Sequence, residues 1–121
     1  MALDHVGLKV SDVARSRTFY LQALGPLGYE PIMEFDGVVG FGAKGKPDFW
    51  LHEGGAGSPL HIAFASPDRA TVDAFHAAAL AAGGKDNGGP GLRPHYHEHY
   101  YGAFAHDPDG NNVEAVCHLP E

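Results

Sequence analysis

His5-Val6-Gly7-Leu8 and His61-Ile62-Ala63-Phe64 are two versions of one short segment, and their relation decides the fold. Laying the 121-residue chain on itself at the 56-residue offset between His5 and His61 also pairs Asp12 with Asp68, Ala14 with Ala70 and Phe19 with Phe75. The same register continues to Ala23 with Ala79, Leu24 with Leu80 and Gly28 with Gly84. Identities along one ungapped offset over two dozen residues point to an internal repeat, so the two halves should fold alike.

Each half opens with an alternating run, Asp4 to Val10 and Leu60 to Ala65, whose period of two suits a strand with one buried face. A helix follows. In the first half Ser11 or Asp12 is placed to cap it, and Ser16, Phe19, Tyr20, Ala23, Leu24 and Leu27 recur at helical spacing. In the second, Ser66 before Pro67 has the order of N-cap and first helical residue, and Val72, Phe75, His76 and Ala79 form the inner stripe until Gly83-Gly84. Ile32 to Phe35, Val38 to Ala43 and Asp48 to His52 then read as strands, as do Tyr100 to His106 and Asn112 to His118 around the turn at Asp107 to Gly110. The glycines and prolines between Lys85 and His99 discourage regular structure there. The expected architecture is α+β: two tandem βαβββ modules, residues 1–56 and 57–121, in a single domain.

Composition narrows the function. With 44% apolar and 19% charged residues the chain is built to fold. A net charge of -7 repels phosphate backbones and anionic lipid, so neither nucleic acid nor membrane is an expected partner. No apolar run approaches the roughly 18 to 20 residues of a membrane span. Cys117 is a single cysteine without an internal disulfide partner, and Met1 to His5 lacks a signal peptide's basic stretch; a cytoplasmic location is expected. Nine histidines invite a chemical reading.

The chain resembles the vicinal oxygen chelate superfamily, the group of glyoxalases, bleomycin-resistance proteins and extradiol dioxygenases. The resemblance is carried by Asp4 to Val10 with Ser16 to Tyr20, by Leu60 to Phe64, and by Phe104-Ala105-His106-Asp107-Pro108-Asp109-Gly110-Asn111-Asn112-Val113-Glu114. It implies paired βαβββ modules whose sheets curl around a shared cavity, and it places the metal ligands on His5, His61 and Glu114, with Glu114 also the catalytic carboxylate. The chemistry of the residues agrees. Two imidazoles and a carboxylate suit one divalent ion such as zinc, iron, manganese or nickel, and leave positions open for a chelating substrate. The sequence departs from the glyoxalase I pattern at Trp50, which aligns with Glu114 where another carboxylate would stand; three protein ligands plus water are expected, with His52, two residues on, as the alternative fourth ligand.

His95-Tyr96-His97-Glu98-His99 is a rival cluster, because residues 95, 97 and 99 share one face of an extended chain. Its flanking glycines and Pro94 suit a mobile cover instead. Arg93, Tyr96, Tyr100, Tyr101 and Trp50 are the expected substrate contacts, a guanidinium for an anionic group and aromatic rings for apolar walls. The expected activity is that of a divalent-metal-dependent, glyoxalase-like or dioxygenase-like enzyme on a small oxygen-chelating substrate. The other reading is a metal-free binding protein of the bleomycin-resistance type. A homodimer is expected, because an open half-barrel would expose apolar strand faces.

Overall fold

The computed structural model of the protein describes residues 3–120; Met1, Ala2 and Glu121, at the ends of the two modules, lie outside the described residues. The first module runs β1 (Val6–Val10), α1 (Val13–Ala23), β2 (Glu30–Phe35), β3 (Val38–Ala43) and β4 (Lys46–Glu53). The second runs β5 (His61–Ala65), α2 (Arg69–Ala81), the two-residue strands β6 (Lys85–Asp86) and β7 (Gly91–Leu92), then β8 (Tyr101–His106) and β9 (Asn112–Cys117). The sheets repeat one topology, β1-β4-β3-β2 and β5-β9-β8-β6, with β7 also on β8. In each, the first strand lies parallel to the last and the remaining pairs are antiparallel. The repeat read from the sequence is therefore a repeat of hydrogen-bonding pattern.

Both helices cover the same side of the sheets. Phe49 and Leu51 of β4, and Val113, Ala115 and Cys117 of β9, turn toward them and are buried, together with Phe19, Tyr20, Val72 and Phe75 from the helices. Successive strand residues point to opposite faces, so Trp50, His52 and Glu114 face away from the helices. The modules join through edge-on ring contacts, Phe49 with Phe64 at 5.3 Å and Tyr29 with Phe64 at 5.5 Å between centroids. A polar tie crosses the same joint: the buried Tyr20 hydroxyl donates to Asp107 Oδ2 at 2.5 Å, and the Ser11 hydroxyl donates to Asp109.

Two local expectations change. The N-cap of α2 is Asp68, whose carboxylate accepts from the Thr71 amide at 2.7 Å, while the Ser66 hydroxyl donates to the Asp68 carbonyl. Asp12 caps α1 in the same way, so the repeat pair Asp12 and Asp68 marks both helix starts better than the Ser-Pro order does. Short ladders also form between Lys85 and Leu92, where only irregular backbone was expected, because β8 offers an edge for two-residue pairings. No helix among the described residues is long and apolar enough to cross a membrane.

Candidate functional site

The strand faces turned away from the helices carry the candidate residues, and the register makes the two modules comparable position by position. Gly7, Trp50 and Gly40 lie side by side on β1, β4 and β3, and Ala63, Glu114 and Phe104 lie side by side on β5, β9 and β8. Trp50 is thus the structural counterpart of Glu114, as the alignment of closing strands implies. His52 corresponds to Val116, since its partner is Val38 and that of Val116 is Gly102.

On the second module Glu114 is fully buried, and both carboxylate oxygens are engaged. Oε1 lies 2.8 Å from His61 Nε2. Oε2 accepts a hydrogen bond from the Tyr100 hydroxyl. Gly102 leaves the room for this, since a Cβ there would come within 3.2 Å of both Glu114 Oε2 and the Tyr100 ring. Burial, reinforced by the Glu114 carboxylate, pushes the Tyr100 phenol well above its usual range, so the hydroxyl stays protonated and serves as a hydrogen-bond donor to Glu114. Phe104 borders the pair, its ring 6.2 Å from that of His61. Arg93 lies over the Phe104 ring at 5.4 Å and donates through Nη2 to the Gly89 carbonyl at 2.8 Å. That one bond ties Arg93 to its own loop and leaves its other donors available.

The remaining candidates are spread out. His5 donates through Nδ1 to Asp4 Oδ1 at 2.9 Å, is exposed, and sits at the start of β1 on the first module. It also borders a groove with Ile62 and Ala63 along the seam between modules. Tyr96 is exposed on the loop, with its ring 4.8 Å from that of Tyr100. Tyr101 turns the other way: its hydroxyl donates to Asp73 of α2, and the Arg69 guanidinium lies 5.1 Å from its ring. Strand alternation sends only one of these adjacent tyrosines to the Glu114 side, and it is Tyr100. In the rival cluster His97 pairs with His118 at 2.5 Å and His99 with Glu98 at 3.3 Å. Among the described residues no three side chains of histidine, cysteine, aspartate or glutamate converge on one point.

Sequence reasoning did not single out Phe104, Gly40 or His118 as parts of these faces. The first two become visible only from the pairing of neighbouring strands. His118 follows the last strand in sequence, and only the fold brings it against His97.

Comparison with known proteins agrees with this architecture. The profile of the Glyoxalase/Bleomycin resistance protein/Dioxygenase superfamily matches residues 2–115. A glyoxalase/bleomycin resistance protein from Albidiferax ferrireducens superposes with a TM-score of 0.85 at 29% identity, over 98% of this chain and 100% of that one. A lactoylglutathione lyase from Agrobacterium tumefaciens superposes at 0.72 with 21% identity, over 96% and 92%. A glyoxalase/bleomycin resistance protein/dioxygenase family enzyme from Burkholderia phytofirmans gives 0.76 with 20% identity, over 98% and 100%. Among curated proteins none matches. A profile match over nearly the whole chain, on a fold of two like modules, means that the protein belongs to the Glyoxalase/Bleomycin resistance protein/Dioxygenase superfamily.

Proposed function

We infer that the protein is a divalent-metal-dependent enzyme of this superfamily, acting on a small oxygen-chelating substrate, with His61, Glu114 and His5 as the metal ligands. The observation that carries the reading is the buried Glu114 carboxylate with His61 Nε2 2.8 Å from its Oε1. The two groups are hydrogen-bonded directly to one another, which holds an imidazole nitrogen and a carboxylate oxygen side by side, and a nitrogen and an oxygen suit a borderline cation. His5 is suited to be the third ligand: with Nδ1–H donated to Asp4, its Nε2 lone pair is left for an ion, the common histidine-carboxylate arrangement. Bound there, the ion would act as a Lewis acid and a template for two substrate oxygens.

The chain's own groups supply the rest. The Tyr100 hydroxyl donates to Glu114 Oε2, which holds the carboxylate in place beside His61. Arg93 stands over Phe104 with guanidinium donors to spare for an anionic group. The exposed Phe35, at 61%, and Met33, at 43%, favour a homodimer in which a second copy closes the open sheet into a cavity and brings His5 to the His61 and Glu114 pair. In a metal-free binding protein the same carboxylate would serve only to hold His61 and Tyr100 in place.

Calorimetric titration of manganese, zinc, nickel and anaerobic iron into chelator-treated protein tests the assignment. Stoichiometric binding of at least one ion is expected, weakened by about 100-fold or more in His61→Ala and Glu114→Gln, beyond the usual cost of losing only an outer-shell partner. Undiminished binding in both variants, with loss in His97→Ala, would move the site to the loop cluster.

A further inference from the structure

The sheet of the first module carries a surface of which the metal-ligand reading uses only one end, His5 with Asp4. Trp50 lies flat across Gly40: a Cβ on Gly40 would stand 2.7 Å from Trp50 Cζ3 and 2.9 Å from Cε3, contact that only glycine permits. With one indole face against the strand, the other faces a concavity of about 670 Å³. His52 extends this floor, its ring inclined 28° to the indole at 6.4 Å and resting against Gly7. The floor has distinct ends. β1 and β4 start together, which gathers His5, Asp4 and Lys46 at one end, with Lys46 Nζ 3.2 Å from Asp4 Oδ2. Phe35 and Val38, paired on β2 and β3, lie at the other beside His52.

The geometry points to a binding site for a planar aromatic carboxylate, its ring stacked on Trp50 and its carboxylate on Lys46. The proposal rests on the function proposed above and deepens it by naming the substrate class: the concavity shares His5 with the proposed metal site. A flat ring gains from a flat partner, and a backed indole loses no freedom on binding. The apolar edge of the ligand meets Phe35 and Val38. Lys46 is a mobile ammonium with three donors, of which Asp4 engages one, so a ligand carboxylate joins it without displacing that contact. An aliphatic carboxylate of equal charge has the Lys46 contact and lacks the stacking.

Trp50 is the only tryptophan in the chain, so its emission reports on this surface alone. Benzoate is expected to quench it saturably in chelator-treated protein, and cyclohexanecarboxylate to bind about tenfold more weakly, as a lost aromatic contact implies. By calorimetry, Trp50→Leu should lose a similar factor and Trp50→Phe should retain most of the affinity. Gly40→Ala should weaken benzoate without touching it, by lifting the indole. Lys46→Met should weaken benzoate while leaving benzyl alcohol unchanged. Equal binding of the two carboxylates, no quenching by benzoate, or unchanged benzoate affinity in Trp50→Leu would overturn the site. Benzoate binding should persist in Glu114→Gln, so failure of the ring site and failure of the metal assignment give different results.

Discussion

The two modules share a strand order and a register, yet their cavity faces carry opposite chemistry. At the central position of the closing strand, module one has an indole lying on a glycine, and module two has a buried carboxylate beside a phenylalanine. Coverage differs too. The loop before β8 brings Tyr100 onto the Glu114 face, whereas Phe35, Met33 and His52 on the first sheet stay exposed. Duplicating a backbone pattern therefore duplicates positions and leaves their chemistry free, and a site using both faces gains a polar half and a ring-binding half.

If the modules are equivalent on their helix side, repeat-related core deletions should cost alike. Phe19 and Phe75 are 1% and 0% exposed, and each change to alanine should cost about 3–5 kcal/mol in denaturant unfolding. A much lower cost for one would show that the modules carry unequal shares of the core. A smaller effect separates Tyr20 from its repeat mate His76. Tyr20 is fully buried and reaches across the joint to Asp107, so Tyr20→Phe should cost about 1–3 kcal/mol by leaving buried acceptor capacity unmet. His76 pairs at 2.9 Å with the largely exposed Asp86 within its own module, and His76→Phe should cost less. Equal losses would deny the joint its special weight.

The smallest effects belong to the caps. Asp68→Ala should lower the thermal midpoint more than Asp12→Ala, because the Asp68 cap bond is 2.7 Å and that of Asp12 is 3.2 Å. The hydroxyl and amide of Thr71 hold the Asp68 carboxyl below its ordinary value. A carboxyl lowered on folding contributes stability above its unfolded value, and that contribution disappears as pH falls through the folded one. Asp68→Asn keeps the cap and removes the titration, so its stability should fall less steeply with acid over that window. An unchanged slope would assign the acid response to other carboxylates.

Much was legible because local rules leave few options. The 56-residue repeat, the buried helix stripe of Ser16, Phe19, Tyr20 and Ala23, and the turn at Asp107 to Gly110 all follow from periodicity and turn chemistry. The α2 cap is ambiguous in sequence because Ser66-Pro67 and Asp68 both satisfy local preferences, and the fold selects Asp68 as the acceptor that meets the Thr71 amide. Tyr100 and Tyr101 could not be told apart from composition; the register of β8 against β9 sends Tyr101 to Asp73 while Tyr100 reaches Glu114.

By itself, the sequence determined the module pattern, the family resemblance and the residue types available for chemistry, since these depend on spacing and side-chain identity along the chain. Only the tertiary structure decided that His61 meets Glu114 while Trp50 settles on Gly40. Those contacts join residues 53 and 10 positions apart, and cross-strand register, a property of backbone hydrogen bonding between distant segments, selects them.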